Sequence, residues 1–466
     1  MTDLHWLTAC EIGRAYAAKQ LSPVELIESL VARIEKCNPS LNAFIDVGAE
    51  RALDAARTAE KEIRAGRALG PLHGVPIALK DIIDVAGLRT TCHSKIMQNH
   101  VAQGDAFVVS KLRASGAVLL GKLSLHEFAY GGPSFDLPYP PARNPWNRAH
   151  HPGGSSSGSG AAVAAGLVPL SLGTDTGGSV RNPAGACGIA GLKPTYGLVS
   201  RRGVFPLSFT LDHVGPLARS AEDIALLLDT IAGHDALDPG SAVTTEQGFA
   251  RDFSLGVRGL RVGVVRHFHE RDMEADREMG HAFEESVRIL RQEGALVIDV
   301  ELPPLAEING VQRVILMSEA WAVHSRWLQE QPENYAQSTR RKLLSGAFLS
   351  AGDYVHAQQR RRDMIAAVNE VFRSVDVLLT ANAMEPACKI DDEESVNRTY
   401  PRQARSPFNL TGHPAIAMMS GLSKAGLPLS VQLAGRHFDE ATLLRTAHAY
   451  ERAAGWAKRR APVTSS

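Results

Sequence analysis

Three stretches put reactive side chains in company that suggests chemistry. Lys80 follows an apolar stretch in the run Gly74-Val75-Pro76-Ile77-Ala78-Leu79-Lys80-Asp81. A lysine there is either a surface residue closing a strand or a desolvated amine, and desolvation lowers a lysine pKa until the neutral nitrogen can take a proton from a hydroxyl. The second stretch, HPGGSSSGSG from His151 to Gly160, runs straight into AAVAAGLVPLSLG. A flexible linker would join separable units, whereas this segment leads into a helix and strand that must be buried. A phosphate cradle would use the same backbone N–H groups, but the Lys-Ser/Thr ending of a P-loop is missing. Gly154 to Gly158 also satisfies G-x-S-x-G, with Ser156 as the nucleophile of an elbow. That elbow needs a strand before it, and Arg143-Asn144-Pro145-Trp146-Asn147 is broken by proline. The third stretch is Gly173-Thr174-Asp175-Thr176-Gly177-Gly178-Ser179, after the apolar Val168 to Leu172. Its plain readings are a tight turn or a dinucleotide loop. Its two successive glycines also let consecutive N–H groups converge on one point, as an oxyanion hole requires, with Ser179 at the edge.

Other reactive residues form weaker patterns. Cys10, Cys37, Cys92, Cys187 and Cys388 are odd in number and stand singly, without C-x-x-C or zinc-type spacing, and read as reduced buried thiols. His126-Glu127 lacks the second histidine of H-E-x-x-H, His150-His151 are adjacent, and His267-x-His269 has no evident third ligand. No metal site is expected.

Taken together, the three stretches resemble the amidase signature family of Ser-cisSer-Lys amidohydrolases. The resemblance rests on GVPIALKD, PGGSSSGSGAAVAAGLVPLSLGTDTGGSVRNPA, GLKPTYGLVS, LDHVGPLARS and NLTGHPAIAMMSG, and extends from about residue 5 to 455. It implies that Lys80 is the catalytic lysine, Ser155 the bridging serine after a cis peptide bond and Ser179 the nucleophile. Thr176, Gly177 and Gly178 match the oxyanion loop, and Ser156, Asp175 and Arg181 the groups that hold Lys80 and the loop. Asp212 falls in the LD-x-x-GP segment, where a structural role is expected. Ser157 and Gly160 stand where many relatives have glycine and alanine; both are small, so the helix start should survive.

These residues need a scaffold, and the remaining sequence describes one. Ser22, Pro23 and Glu25 supply a cap, a proline at the first helical position and an acid, followed by Leu26, Ile27, Leu30, Val31 and Ile34 at helical spacing. A second helix is expected from about Val47 to Ala65. Beyond Gly70, strand (Val75 to Leu79), helix (Phe107 to Ala114) and strand (Ala117 to Leu120) alternate, and the alternation returns at Leu260 to Val265, Ala282 to Glu293 and Leu296 to Val300. Ala415 to Met419 and Leu429 to Ala434 flank a Gly-containing turn and read as a hairpin. The fold class is therefore α/β, a large mixed β-sheet flanked by α-helices in a single large domain, the amidase signature fold. Within residues 1–466 the expected parts are an N-terminal helical segment (1–65), a core carrying the Lys/Ser/Ser site (66–300), a helical pocket segment (311–373) and a C-terminal sheet and helix (374–460).

The 466 residues carry 50 Lys plus Arg against 50 Asp plus Glu, so no net field attracts a polyanion, and the expected partner is a small-molecule amide, without nucleic acid and without membrane. A homodimer is left open. The longest apolar run, Ala161 to Leu172, is broken by Gly166 and Pro169 and is too short to span a bilayer. No charged segment feeds an apolar run at the start, which suits a cytoplasmic protein. The expected activity is hydrolysis of a carboxamide, or a related carbamate, urea or ester, with no cofactor. The alternative is the glutaminase subunit of an aminoacyl-tRNA amidotransferase, whose members typically carry an acid before the NLAG segment; Tyr400 to Arg405 holds none. Aromatics of 311–373, Trp327 in particular, are expected to wall the pocket, with Tyr130 and Phe135 opposite and Arg402 and Arg405 at its mouth.

Overall fold

The apolar runs beyond Gly70, and one short segment before it, become strands in the computed structural model, which describes residues 3–244 and 246–463. In chain order they are β1 (Phe44–Val47), β2 (Pro76–Lys80), β3 (Val118–Leu123), β4 (Leu170–Asp175), β5 (Ala190–Lys193), β6 (His213–Ala218), β7 (Arg261–Val264), β8 (Leu296–Asp299), β9 (Val377–Ala381), β10 (Ala415–Leu422) and β11 (Pro428–Gly435). They form one sheet in the order β1-β3-β2-β4-β6-β5-β10-β11-β9-β7-β8. β2 is parallel to β3 and β4, and β7 to β8 and β9; the other pairings are antiparallel. The large mixed sheet with helices, in one domain, is the architecture the sequence implied.

Burial on both faces explains the texture of the strands. Every residue of β2, β4, β6 and β9 is buried, and β2 (PIALK) and β9 (VLLTA) accordingly read as nearly continuous apolar runs rather than alternating ones. The period of two survives in which core each side chain joins. Val377, Leu379, Ile416 and Leu433 enter one apolar cluster, and their chain neighbours Leu378, Ala415 and Ala434 the other. The hairpin is present as β10 and β11, paired Ala415 to Ala434.

Local signals set the helix ends. Ser22 caps helix Pro23–Leu41 by accepting from Val24 N at 3.1 Å and Glu25 N at 3.4 Å, and Asn42 ends it in the left-handed region at φ 51°. The next helix, Ala49–Arg64, starts after β1, a short strand whose last residue, Val47, the helical pattern alone would absorb. The polar segment 311–373 falls within helices Leu305–Glu330, Gln337–Leu344 and Ala351–Val371. Among the described residues no helix is long and apolar enough to cross a membrane.

What matters for chemistry is the parallel pair β2 and β4, in register with Leu79 opposite Leu172. Their carboxyl ends therefore open on the same edge of the sheet, the edge where α/β sheets hold ligands. Lys80 is the last residue of β2 and Asp175 the last of β4.

Candidate active site

Lys80 is fully buried, and among the described residues no carboxylate forms an ion pair with it. Its Nζ donates instead to Ser155 Oγ at 2.8 Å and to Thr174 Oγ1 at 2.7 Å. Burial lowers its pKa to about 7, with Asp175 and then Asp212 opposing the shift from farther away. Ser155 follows a cis Gly154–Ser155 peptide. Gly154 is required by contact, since a Cβ there would collide with the His126 ring at Cε1.

The loop after β4 is organised around Asp175. Its Oδ1 accepts from Gly178 N at 2.7 Å, Arg181 Nη2 at 3.0 Å and Asn409 Nδ2 at 2.8 Å. Its Oδ2 accepts from Val180 N at 3.1 Å, Arg181 N at 3.3 Å and Arg181 Nε at 3.1 Å. Burial pushes the Asp175 carboxyl up, but the Arg181 guanidinium, together with Asn409 and Lys193, more than offsets this and holds it well below the usual carboxylate range. Arg181 in turn donates to Asn409 Oδ1 at 2.6 Å and Gln432 Oε1 at 2.9 Å. The geometry corrects the expected role of Gly178 as an oxyanion donor. Its N–H is spent on Asp175, whereas the N–H groups of Gly177 and Ser179 have no protein acceptor among the described residues. Gly178 supplies conformation instead, with φ 116° and no room for a Cβ, which would lie 2.5 Å from Arg405 Nε.

Ser155, Thr176, Gly177, Gly178 and Ser179 line a cavity of about 850 Å³. Ser156 does not line it: fully buried, it accepts from Thr174 N and donates to Thr174 O, both at 3.2 Å, and so braces the strand that presents Thr174 to Lys80. The elbow reading therefore falls. Tyr130 and Phe135 lie on the cavity wall, as does Arg405. Trp327 does not. It stacks on Phe128 and Phe205 at 5.9 and 6.0 Å between ring centroids, inside an aromatic cluster with His324. Arg402 is also absent from the cavity, its Nε donating to Glu385 Oε1 at 2.6 Å. Helix Leu305–Glu330 does form a wall, through Asn309, Gln312, Arg313, Leu316 and Met317 rather than through aromatics.

Three neighbours of the site are not evident from sequence motifs. Thr174 could be found from strand alternation, since it shares a face with Thr176. His126, buried against Gly154, and Gln312, whose Nε2 donates to Thr176 O at 3.2 Å, leave no local signal. Asp212, expected to be structural, accepts from Thr176 Oγ1 at 2.6 Å and from Leu207 and Ser208 N–H; burial raises its pKa to about 6.

The family described as Amidase matches residues 25–444. The chain belongs to the amidase signature family. Among its relatives is a glutamyl-tRNA(Gln) amidotransferase subunit of Chloroflexus aggregans, 38% identical with 99% of each chain covered. The amidase signature fold is shared by the native peptide amidase of Stenotrophomonas maltophilia, 30% identical with 98% of both chains covered and a TM-score of 0.85. It is shared also by a protein of a vestigial complex that bears on the origins of an s-triazine catabolic enzyme. That protein is 34% identical, covers 96% of this chain and 98% of its own, and gives a TM-score of 0.90.

As an amidase signature enzyme the chain acts on C–N bonds. The expectation that excluded nucleic acid must be corrected. The Chloroflexus protein is by name one subunit of an enzyme of a charged tRNA, and it matches this chain end to end. A net charge of zero over a whole chain excludes neither a local basic patch nor a charged partner, so composition could not carry that exclusion.

Proposed function

We propose that this chain hydrolyses the C–N bond of a small carboxamide, outside peptide backbones, through an acyl-enzyme on Ser179. The contact that supports this reading is Lys80 Nζ to Ser155 Oγ at 2.8 Å, made by a buried lysine with a pKa of about 7. Ser179 Oγ attacks the carbonyl carbon, its proton passing to Ser155 and the proton of Ser155 to neutral Lys80. The N–H groups of Gly177 and Ser179 receive the negative charge that develops on the carbonyl oxygen. Collapse of the tetrahedral intermediate breaks the C–N bond, and Lys80 returns the proton through Ser155 to the leaving nitrogen. Water then attacks the Ser179 ester by the same relay and releases the acid.

A second reading concerns the setting. Full-length identity of 38% to glutamyl-tRNA(Gln) amidotransferase subunits favours a role as the amide-hydrolysing subunit of an assembly over a free-standing amidase. Ammonia release from L-glutamine and from a panel of simple amides, by the parent and by Ser179→Ala, tests both readings. The variant should release none. Ammonia from glutamine only when partner subunits are added supports the subunit role. Turnover that survives Ser179→Ala, or a fluorophosphonate adduct on Ser156, would overturn the acyl-enzyme.

A further inference from the structure

Every charged side chain buried in this protein ought to have a counter-charge or a full set of hydrogen bonds, because an isolated buried ion is costly. Arg405 has neither. It is 3% exposed and lines the cavity beside the Thr176 to Ser179 loop. Among the described residues no carboxylate lies within ion-pair distance of it. Nη1 donates to Asn382 O at 2.8 Å, and Nε is enclosed with no acceptor among the described residues. Burial lowers its pKa to about 10, which still leaves it charged at neutral pH.

The other charges on the cavity wall cannot balance it. Asp136, Asp391 and Glu393 sit at the exposed rim, Arg313 is exposed and cationic, and Lys342 donates to Gly131 O at 3.0 Å. Arg402, three residues upstream, shows the contrast: it has Glu385. Arg405 also lies close to the reacting position. Its Nε would be 2.5 Å from a Cβ on Gly178, the residue just before Ser179.

Resting on the acyl-enzyme reading, we infer that the substrate brings the missing anion: it carries a carboxylate a few bonds from the scissile carbonyl, and Arg405 binds it. A guanidinium suits this role because its planar donors match the two carboxylate oxygens, and the low-dielectric site strengthens the pair. The anion would enter with the substrate, so a neutral amide would leave the guanidinium without a partner and be selected against.

Three matched pairs of probes test the inference: malonamate against 3-methylbutanamide, succinamate against 4-methylpentanamide and glutaramate against 5-methylhexanamide. In each pair an isopropyl group of similar shape replaces the carboxylate, and ammonia release gives kcat/KM. The parent should prefer the acid in at least one pair, and Arg405→Met should lower kcat/KM for that acid about 10- to 100-fold more than for its neutral partner. Arg405→Lys, which keeps the charge but not the fork, should show a smaller selective loss and guards against misfolding of the Met variant. Equal losses on acid and neutral amide in both variants, or a parent without preference in any pair, would overturn the inference. If the parent hydrolyses neutral amides in a Ser179-dependent way without that preference, only the carboxylate site fails. If Ser179→Ala leaves turnover intact, the acyl-enzyme fails with it.

Discussion

Replacing Asp175 with asparagine probes the anchor of the nucleophile loop. Each carboxylate oxygen accepts from three donors: Gly178 N, Arg181 Nη2 and Asn409 Nδ2 on one, and Val180 N, Arg181 N and Arg181 Nε on the other. An asparagine keeps one acceptor oxygen and turns an NH2 toward the other three donors. It also removes the negative partner of Arg181 where both side chains are fully buried. Breaking a buried pair from one side costs about 3 to 5 kcal/mol. Equilibrium denaturation in urea, with fluorescence and circular dichroism required to coincide, should show a loss of that size. Adding Arg181→Met should recover part of the stability, because no charge is then left unpaired, while ammonia release stays low since the loop has still lost its acceptors. Stability within about 0.5 kcal/mol of the parent for Asp175→Asn, or activity restored along with stability in the double variant, would refute the anchoring argument.

Two further outcomes follow from the site and the core. In the proposed mechanism Lys80 acts only after losing its proton, so kcat/KM should rise with pH with a midpoint near 7, and Asp212→Asn, by removing an anion that favours the protonated lysine, should move that midpoint to lower pH; a pH-rate profile that shifts upward or not at all contradicts this. Trp327→Ala should destabilise the protein by about 2 kcal/mol, less than a fully buried ring would cost, and leave the ratio of kcat/KM between two amides unaltered, as thermal melts and competition assays would show.

The candidate site was legible because its residue types are rare where they stand. A lysine ending an apolar strand and paired glycines before a serine have few uses, and both stretches reach one edge because β2 and β4 run parallel. The pocket wall was much less legible. Helix Leu305–Glu330 presents Asn309, Gln312, Arg313, Leu316 and Met317 to the cavity, a stripe at three- and four-residue spacing. Trp327 lies ten residues past Met317, about 15 Å along the axis, where the same helix meets Phe128 and Phe205. Periodicity identifies a helix but not which neighbour each of its turns meets. Arg402 and Arg405 were likewise indistinguishable in sequence, since Glu385, which separates their fates, comes into reach only through tertiary folding.

The Arg181 contacts also bear on when the protein becomes an enzyme. Lys80, Ser155, Ser179 and the Asp175 partner of Arg181 all belong to the first 180 residues, yet two further side-chain acceptors of the Arg181 guanidinium, Asn409 and Gln432, lie 228 and 251 residues downstream of it. A chain emerging from the ribosome thus carries its whole reactive set long before it holds the parts that fix the nucleophile loop. Closing loops of that length is slow compared with local structure. On the proposed mechanism activity is therefore a late event in folding, and a chain cut before Asn409 should release no ammonia from amides that the full protein hydrolyses.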